Sequence, residues 1–302
     1  MAEPSTSGPR IRPETRAGAR PEIRRGTRPR HRYTLVAVLT ATAFAATVPA
    51  ASARPALPGG GGTEAAPTVV MIHGAWADTS SWGGEVRILR GEGYSARAIG
   101  NPLEGLTTDA ETVADFVRSI PGPVVLVGHS YGGSVITNAA ARTGNVKALV
   151  YVDAAAPAVG ETTGELSGSA SALNAPPETL FDSVPYANAP EGTADLYLKQ
   201  DIFVRKFAQD LPAQQAVNLW ATQRAASMAA FDTPSKYAAW KTIPSWYFIS
   251  SGDQIITPES ELMMARRAGS KITTFQGGSH LTLISHPEAV TKVIKAAIEA
   301  VS

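Results

Sequence analysis

The chain has 302 residues, no cysteine, 27 basic and 26 acidic residues and 44% hydrophobic residues. Without a thiol it can form neither disulfides nor a thiolate nucleophile. Setting aside residues 1–53, with their nine arginines and three acids, leaves 18 basic and 23 acidic residues, a net charge of −5. That charge gives no electrostatic footprint for nucleic acid.

Residues 1–32 are arginine-rich, proline-dotted and poor in apolar side chains, so they cannot bury enough surface to offset their ordering entropy. An apolar run from Tyr33 to Val48 follows, then Ala51-Ser52-Ala53. A positive segment, an apolar segment and an A-x-A site read as a secretory signal peptide cleaved near Ala53. The alternative is a membrane anchor over 33–50. That run is diluted by Thr34, Thr40, Thr42 and Thr47, whereas a span wants about 20 apolar residues. After cleavage no stable membrane association is expected. Residues 54–67, rich in Pro, Gly and Ala, read as a flexible linker. The domain proper is expected over 68–302.

Val69-Val70-Met71-Ile72 is a continuously apolar strand of the kind buried on both faces of a parallel sheet. It ends at His73-Gly74. Residues 80–91 read as a helix, Tyr94 to Ile99 as a strand, and Thr108 or Asp109 as the cap of a helix through Ile120. Residues 123–128 read as the next strand, 131–142 as a helix, and Ala148 to Val152 as another buried strand. The alternation then breaks over 155–242, where helices are expected near 192–209, 211–227 and 235–241. It resumes with a strand at 246–249, a helix at 258–268, a strand at Lys271 to Phe275 and a closing helix over 287–301. This pattern predicts an α/β fold with a mostly parallel sheet, helices on both faces and a helical cap inserted after the Ala148–Val152 strand.

The chemistry centres on Gly128-His129-Ser130-Tyr131-Gly132. G-x-S-x-G between a strand and a helix is the pattern of a nucleophile elbow. A serine hydroxyl needs an oriented base, and the chain has five histidines. His31 lies in the leader, His73 at the first strand's end, His129 inside the elbow and pointing away from Ser130, and His286 at the start of the last helix. His280, in the loop Gly277-Gly278-Ser279-His280, is the expected base. The imidazole needs an anion. Asp253 in Ser251-Gly252-Asp253 is the expected acid, with Asp153 at the end of the Ala148–Val152 strand as the alternative. For an oxyanion, the N–H groups of Tyr131 and of Ala75 are the expected donors. No metal-ligand spacing and no phosphate-binding glycine loop is found, so no cofactor and no metal is expected.

His73-Gly74-Ala75-Trp76, Gly128-His129-Ser130-Tyr131-Gly132-Gly133, Gly252-Asp253 and Ser279-His280 together resemble the α/β-hydrolase fold family. The resemblance spans about residues 67–300. It is greatest to the serine esterase branch that holds plant-type methylesterases, hydroxynitrile lyases and bacterial esterases. It implies Ser130 as nucleophile, Asp253 as acid and His280 as base. The chain leaves no room for the two amino-terminal strands of the full fold, so six strands are expected. Hydroxynitrile lyases carry a lysine directly after the catalytic histidine; here Leu281 follows. The expected function is a secreted carboxylesterase acting on a small-molecule ester with a small or medium apolar acyl group. Carbon–carbon bond hydrolysis and perhydrolysis use the same triad and stand as alternatives, as does a non-catalytic ligand-binding protein on this scaffold.

Overall fold

The computed structural model describes residues 66–302 except 188, 190 and 191. The expected leader, cleavage site and anchor, and all of the linker but its last two residues, lie outside the described residues. Among the described residues no helix is long and apolar enough to cross a membrane.

Six strands form one sheet in the order β2-β1-β3-β4-β8-β9. They are β1 (Thr68–Ile72), β2 (Ala96–Ile99), β3 (Val124–Ser130), β4 (Val146–Ala154), β8 (Ser245–Ser250) and β9 (Lys271–Phe275). Every pair is parallel, so each connection must cross over, and helices supply the crossovers. The crossover helices are α1 (Gly83–Gly91), α2 (Leu106–Arg118), α3 (Tyr131–Ala140) and α5 (Pro258–Arg267), and α6 (Pro287–Glu299) follows β9. β3 is buried at all seven positions, which requires cover on both faces. Burying each of its valines and its leucine contributes about 1.5–3 kcal/mol. At the edge β9 keeps four of its five residues exposed, and there Thr273 and Thr274 replace the aliphatic run.

The insertion expected over 155–242 lies between β4 and β8, and its make-up differs from the helices expected there. It contains a three-stranded antiparallel sheet, β5 (Phe181–Val184), β6 (Asp195–Leu198) and β7 (Ala226–Ser227), beside the helix α4 (Ala213–Ala221). Residues 195–198 therefore form a strand inside a stretch expected to be helical. Leu196 and Leu198 alternate with the less buried Asp195 and Tyr197, a period of two that is too short to outweigh its helix-like surroundings. The insertion is tied down where it leaves the sheet. Arg267 of α5 donates through both terminal nitrogens to Glu161, at 2.5 and 2.8 Å, and its guanidinium lies 5.5 Å from the Trp240 ring.

The start of α2 also differs from expectation. It begins at Leu106 after Gly105, with no side-chain cap. Asp109 instead reaches back, and its carboxyl accepts the N–H groups of Glu104 and Gly105 at 3.2 and 3.4 Å.

Candidate active site

The strand β3 runs straight into α3 at Ser130, and its register against β4 slips between His129 and Ser130. Ser130 has φ 55° and ψ −127°, a strained conformation for a residue with a Cβ, costing about 1–3 kcal/mol. The turn is tight because Gly128 allows it. A Cβ at Gly128 would stand 2.5 Å from the carbonyl oxygen of Gly132. Gly74 makes the second close approach: a Cβ there would stand 2.5 Å from the Ser130 Cβ and 3.1 Å from its Oγ. The loop after β1 is thus held against the serine.

His280 follows β9 in the loop that leads to α6. Its Nε2 lies 2.7 Å from Ser130 Oγ and its Nδ1 lies 2.6 Å from Asp253 Oδ2. Three residues far apart in the chain meet in one hydrogen-bonded line. For the serine hydroxyl to donate to Nε2, the ring proton must sit on Nδ1 and be accepted by Asp253. Burial pulls the His280 imidazole down to about 3, so the ring is neutral at neutral pH. Asp253 is not the flexible turn residue its sequence suggests. It is 4% exposed, and its Oδ1 accepts the N–H groups of Ile255 and Ile256 at 2.7 and 3.2 Å. Burial pushes this carboxyl up, and those two donors work against the push.

The alternative acid, Asp153, does not touch His280. It sits at the end of β4 with φ 44° and makes both its hydrogen bonds with Ser250: Oδ1 accepts the N–H at 2.7 Å, and Oδ2 lies 2.9 Å from the hydroxyl oxygen.

Ala75 and Tyr131 are both fully buried beside the serine. Tyr131 is the first residue of α3, and its hydroxyl donates to Asp109 at 2.6 Å. Burial, and then the Asp109 charge, hold the phenol well above its usual range. The loop carrying Ala75 is braced by His73. The His73 Nε2 accepts the N–H of Asn101 at 3.0 Å, and its Nδ1 lies 2.9 Å from the Gly74 carbonyl. Burial holds the His73 pKa down to about 4, in keeping with a neutral ring.

Two contributors are invisible in the sequence. His129, expected only to point away from the serine, reaches behind it, and its Nε2 donates to the main-chain carbonyl of His280 at 2.8 Å. Trp76, with φ 56°, stacks between Phe181 and Phe231 at centroid distances of 5.5 and 5.2 Å. Its Nε1 donates to the Leu196 carbonyl at 2.9 Å, so the loop after β1 is fastened to the cap sheet. A cavity of about 250 Å³ opens here, lined by Trp76, Leu173, Phe181, Leu196, Met228 and Phe231 among others. Among the cap side chains, Phe207 packs with its ring 4.9 Å from the His280 ring. Trp240 turns elsewhere and donates to the Pro157 carbonyl at 2.8 Å.

Residues 69–293 match the model of the alpha/beta hydrolase family. The chain belongs to that family. It is 30% identical over 254 residues to the alpha/beta hydrolase nvfD of Aspergillus novofumigatus, covering 76% of this chain and 95% of that one. It is 26% identical over 251 residues to esterase PIR7B of Oryza sativa subsp. japonica, covering 74% and 91%. Among solved structures it is similar to an extracellular alpha/beta-hydrolase from a Paenibacillus species, with TM-score 0.64 and 20% identity over 76% of this chain and 98% of that one. It is similar also to polyneuridine aldehyde esterase, with TM-score 0.64 and 17% identity over 76% and 98%. These structural likenesses carry the fold, and the family with its esterase members makes this alpha/beta hydrolase an enzyme, a carboxylic ester hydrolase.

Proposed function

We propose that this alpha/beta hydrolase is a serine esterase that cleaves small or medium apolar acyl esters through an acyl-enzyme on Ser130. The observation that carries the reading is the unbroken line from Ser130 Oγ through the His280 ring to Asp253, at 2.7 and 2.6 Å. Ser130 Oγ attacks the ester carbonyl carbon while His280 Nε2 takes its proton. Asp253 holds the tautomer and stabilises the imidazolium that forms. The N–H groups of Ala75 and Tyr131 receive the oxyanion. The tetrahedral intermediate collapses, and His280 returns the proton to the departing alcohol. Water, deprotonated by the same nitrogen, then attacks the acyl-enzyme and releases the acid with Ser130 restored.

The apolar side of the cavity beside Trp76, formed by Phe181, Leu196, Met228 and Phe231, supports the apolar acyl preference, while Ser167, Asn174, Ser183 and Asp232 line the rest. The export reading rests on residues 1–53 alone and makes this a secreted enzyme beginning near Arg54; amino-terminal sequencing of protein recovered outside the cell tests it. The reaction itself is tested by hydrolysis of p-nitrophenyl acetate and butyrate by residues 54–302. Ser130→Ala should lower kcat/KM by about 10⁴-fold or more, because triad members act as a unit. Undiminished turnover by that variant would remove Ser130 from the mechanism.

A further inference from the structure

Three carboxyl groups crowd behind the imidazole. Asp153 ends β4, Asp253 follows β8 and Glu261 lies in α5, and one oxygen from each is within 4.8 Å of the others. Sequence spacing predicts no such cluster, because each acid comes from a different element. All three are almost sealed from solvent. Three full negative charges cannot persist so close together in so dry a place.

Proton counting says where the charge stays. The Ser279 carbonyl can only accept, so Thr282 Oγ1, 2.7 Å away, must donate to it. The threonine's single proton is then used. Ser250 Oγ lies 2.7 Å from Thr282 Oγ1, so the serine must be the donor in that contact. Its only proton is then used as well. Yet Ser250 Oγ also lies 2.9 Å from Asp153 Oδ2, and two oxygens at that distance need a proton between them. Only the carboxyl can supply it. The other Asp153 oxygen accepts the Ser250 N–H at 2.7 Å, which leaves Oδ2 as the protonated atom. Asp253 is the opposite case. Every contact to its two oxygens comes from a nitrogen: Ile255, Ile256 and the His280 ring.

We propose that Asp153 is a neutral carboxylic acid, heading a one-way hydrogen-bond chain through Ser250 and Thr282 that positions the His280 loop while Asp253 keeps its charge. This rests on the Ser130–His280–Asp253 reading and deepens it. The titratable groups facing Asp153 are Asp253, Asp210, Glu261 and Tyr247. Burial first, then the Asp253 charge, push the Asp153 carboxyl well up. Burial and the two aspartates do the same to Glu261. The arrangement is useful because the imidazolium formed during turnover meets a single carboxylate at Nδ1, rather than a spread of competing charge.

Rescue by an amide tests this. Asparagine at 153 tolerates positive φ as aspartate does, offers N–H to Ser250 Oγ and accepts the Ser250 N–H, but cannot ionise. Asp153→Ala and Ser250→Ala break the chain and should each lower kcat by about 10²-fold with KM little changed. Asp153→Asn should restore kcat to within about threefold of wild type, because the bonds are kept. The infrared carbonyl band of a protonated carboxyl should be present in the wild type and weaker in Asp153→Asn. An Asn variant as damaged as Asp253→Asn, or an unchanged infrared band, would overturn the proposal. Should the alanine variants fail to fold, the Asn variant and the infrared band still decide. Full activity in Ser130→Ala or Asp253→Asn would instead sink the triad reading, and the infrared difference between wild type and Asp153→Asn would continue to report on Asp153.

Discussion

His129 Nε2 stands 2.8 Å from the main-chain carbonyl of His280, so the residue before Ser130 braces the residue whose ring faces it. The two rings are 4.8 Å apart. Burial holds the His129 pKa well below its usual value, and the ring acts as a neutral donor. His129→Leu strands a buried carbonyl, which should cost about 1–3 kcal/mol of stability. It should also lower kcat more than it changes KM, since the brace acts on the position of the His280 ring. Urea unfolding and steady-state kinetics on one preparation check both halves.

The acid assignment separates sharply from its alternative. Asp253→Asn keeps the shape but disrupts the tautomer, and kcat should fall by about 10³–10⁴-fold. A larger loss in Asp153→Asn than in Asp253→Asn would move the acid to β4.

Gly74→Ala should be nearly inactive although only a methyl is added. That methyl would meet Ser130 Cβ at 2.5 Å, so the serine or the loop after β1 must shift. A displacement of that order costs about 10²-fold in rate. Circular dichroism and thermal unfolding should find the fold kept while p-nitrophenyl butyrate turnover is lost.

The brace under the Ala75 loop titrates. In the native state His73 is held down to about 4 from 6.5. Between those values the unfolded chain binds a proton that the native chain refuses. Stability from this group is therefore complete above pH 6.5 and is lost as pH falls toward 4, by about 3 kcal/mol in all. His73→Asn lacks this titration. The stability gap between wild type and variant should narrow by that order between pH 7 and pH 4. A gap constant across that range would contradict the burial argument.

Trp76 links cap and site, so its truncation should be felt in both. Trp76→Ala empties the stack between Phe181 and Phe231 and should cost about 3–5 kcal/mol. Trp76→Phe keeps an aromatic ring but loses the bond to Leu196, about 1 kcal/mol. KM for butyrate esters should rise in the order wild type, Phe, Ala.

The sheet was legible because its strands are short, continuously apolar and followed by helix-length segments, and Val124–Val127 is the plainest case. The positions of Ser130, Asp253 and His280 were legible for a related reason. Each follows a recognisable strand, and a parallel sheet brings its carboxyl ends to one edge. The cap sheet was not legible, because β7 is two residues long and β6 lies in a stretch whose longer pattern is helical. The roles of His129 and Asp153 were hidden for another cause. Both depend on contacts across 97 residues or more of sequence, and neither has a local spacing that betrays its partner. Trp76 was read only as part of a motif, since the cap residues that stack on it belong to the segment with the weakest pattern.

The central claim is that acyl transfer runs through the Ser130 hydroxyl, and covalent trapping tests it most directly. The enzyme would be quenched in acid during turnover of a slowly deacylating ester and its peptides weighed by mass spectrometry. One acyl group on the peptide carrying Ser130, absent in Ser130→Ala and formed far more slowly in His280→Ala, is the predicted result. Turnover that continues with the acyl group on another residue, or at full rate in Ser130→Ala, would contradict the account.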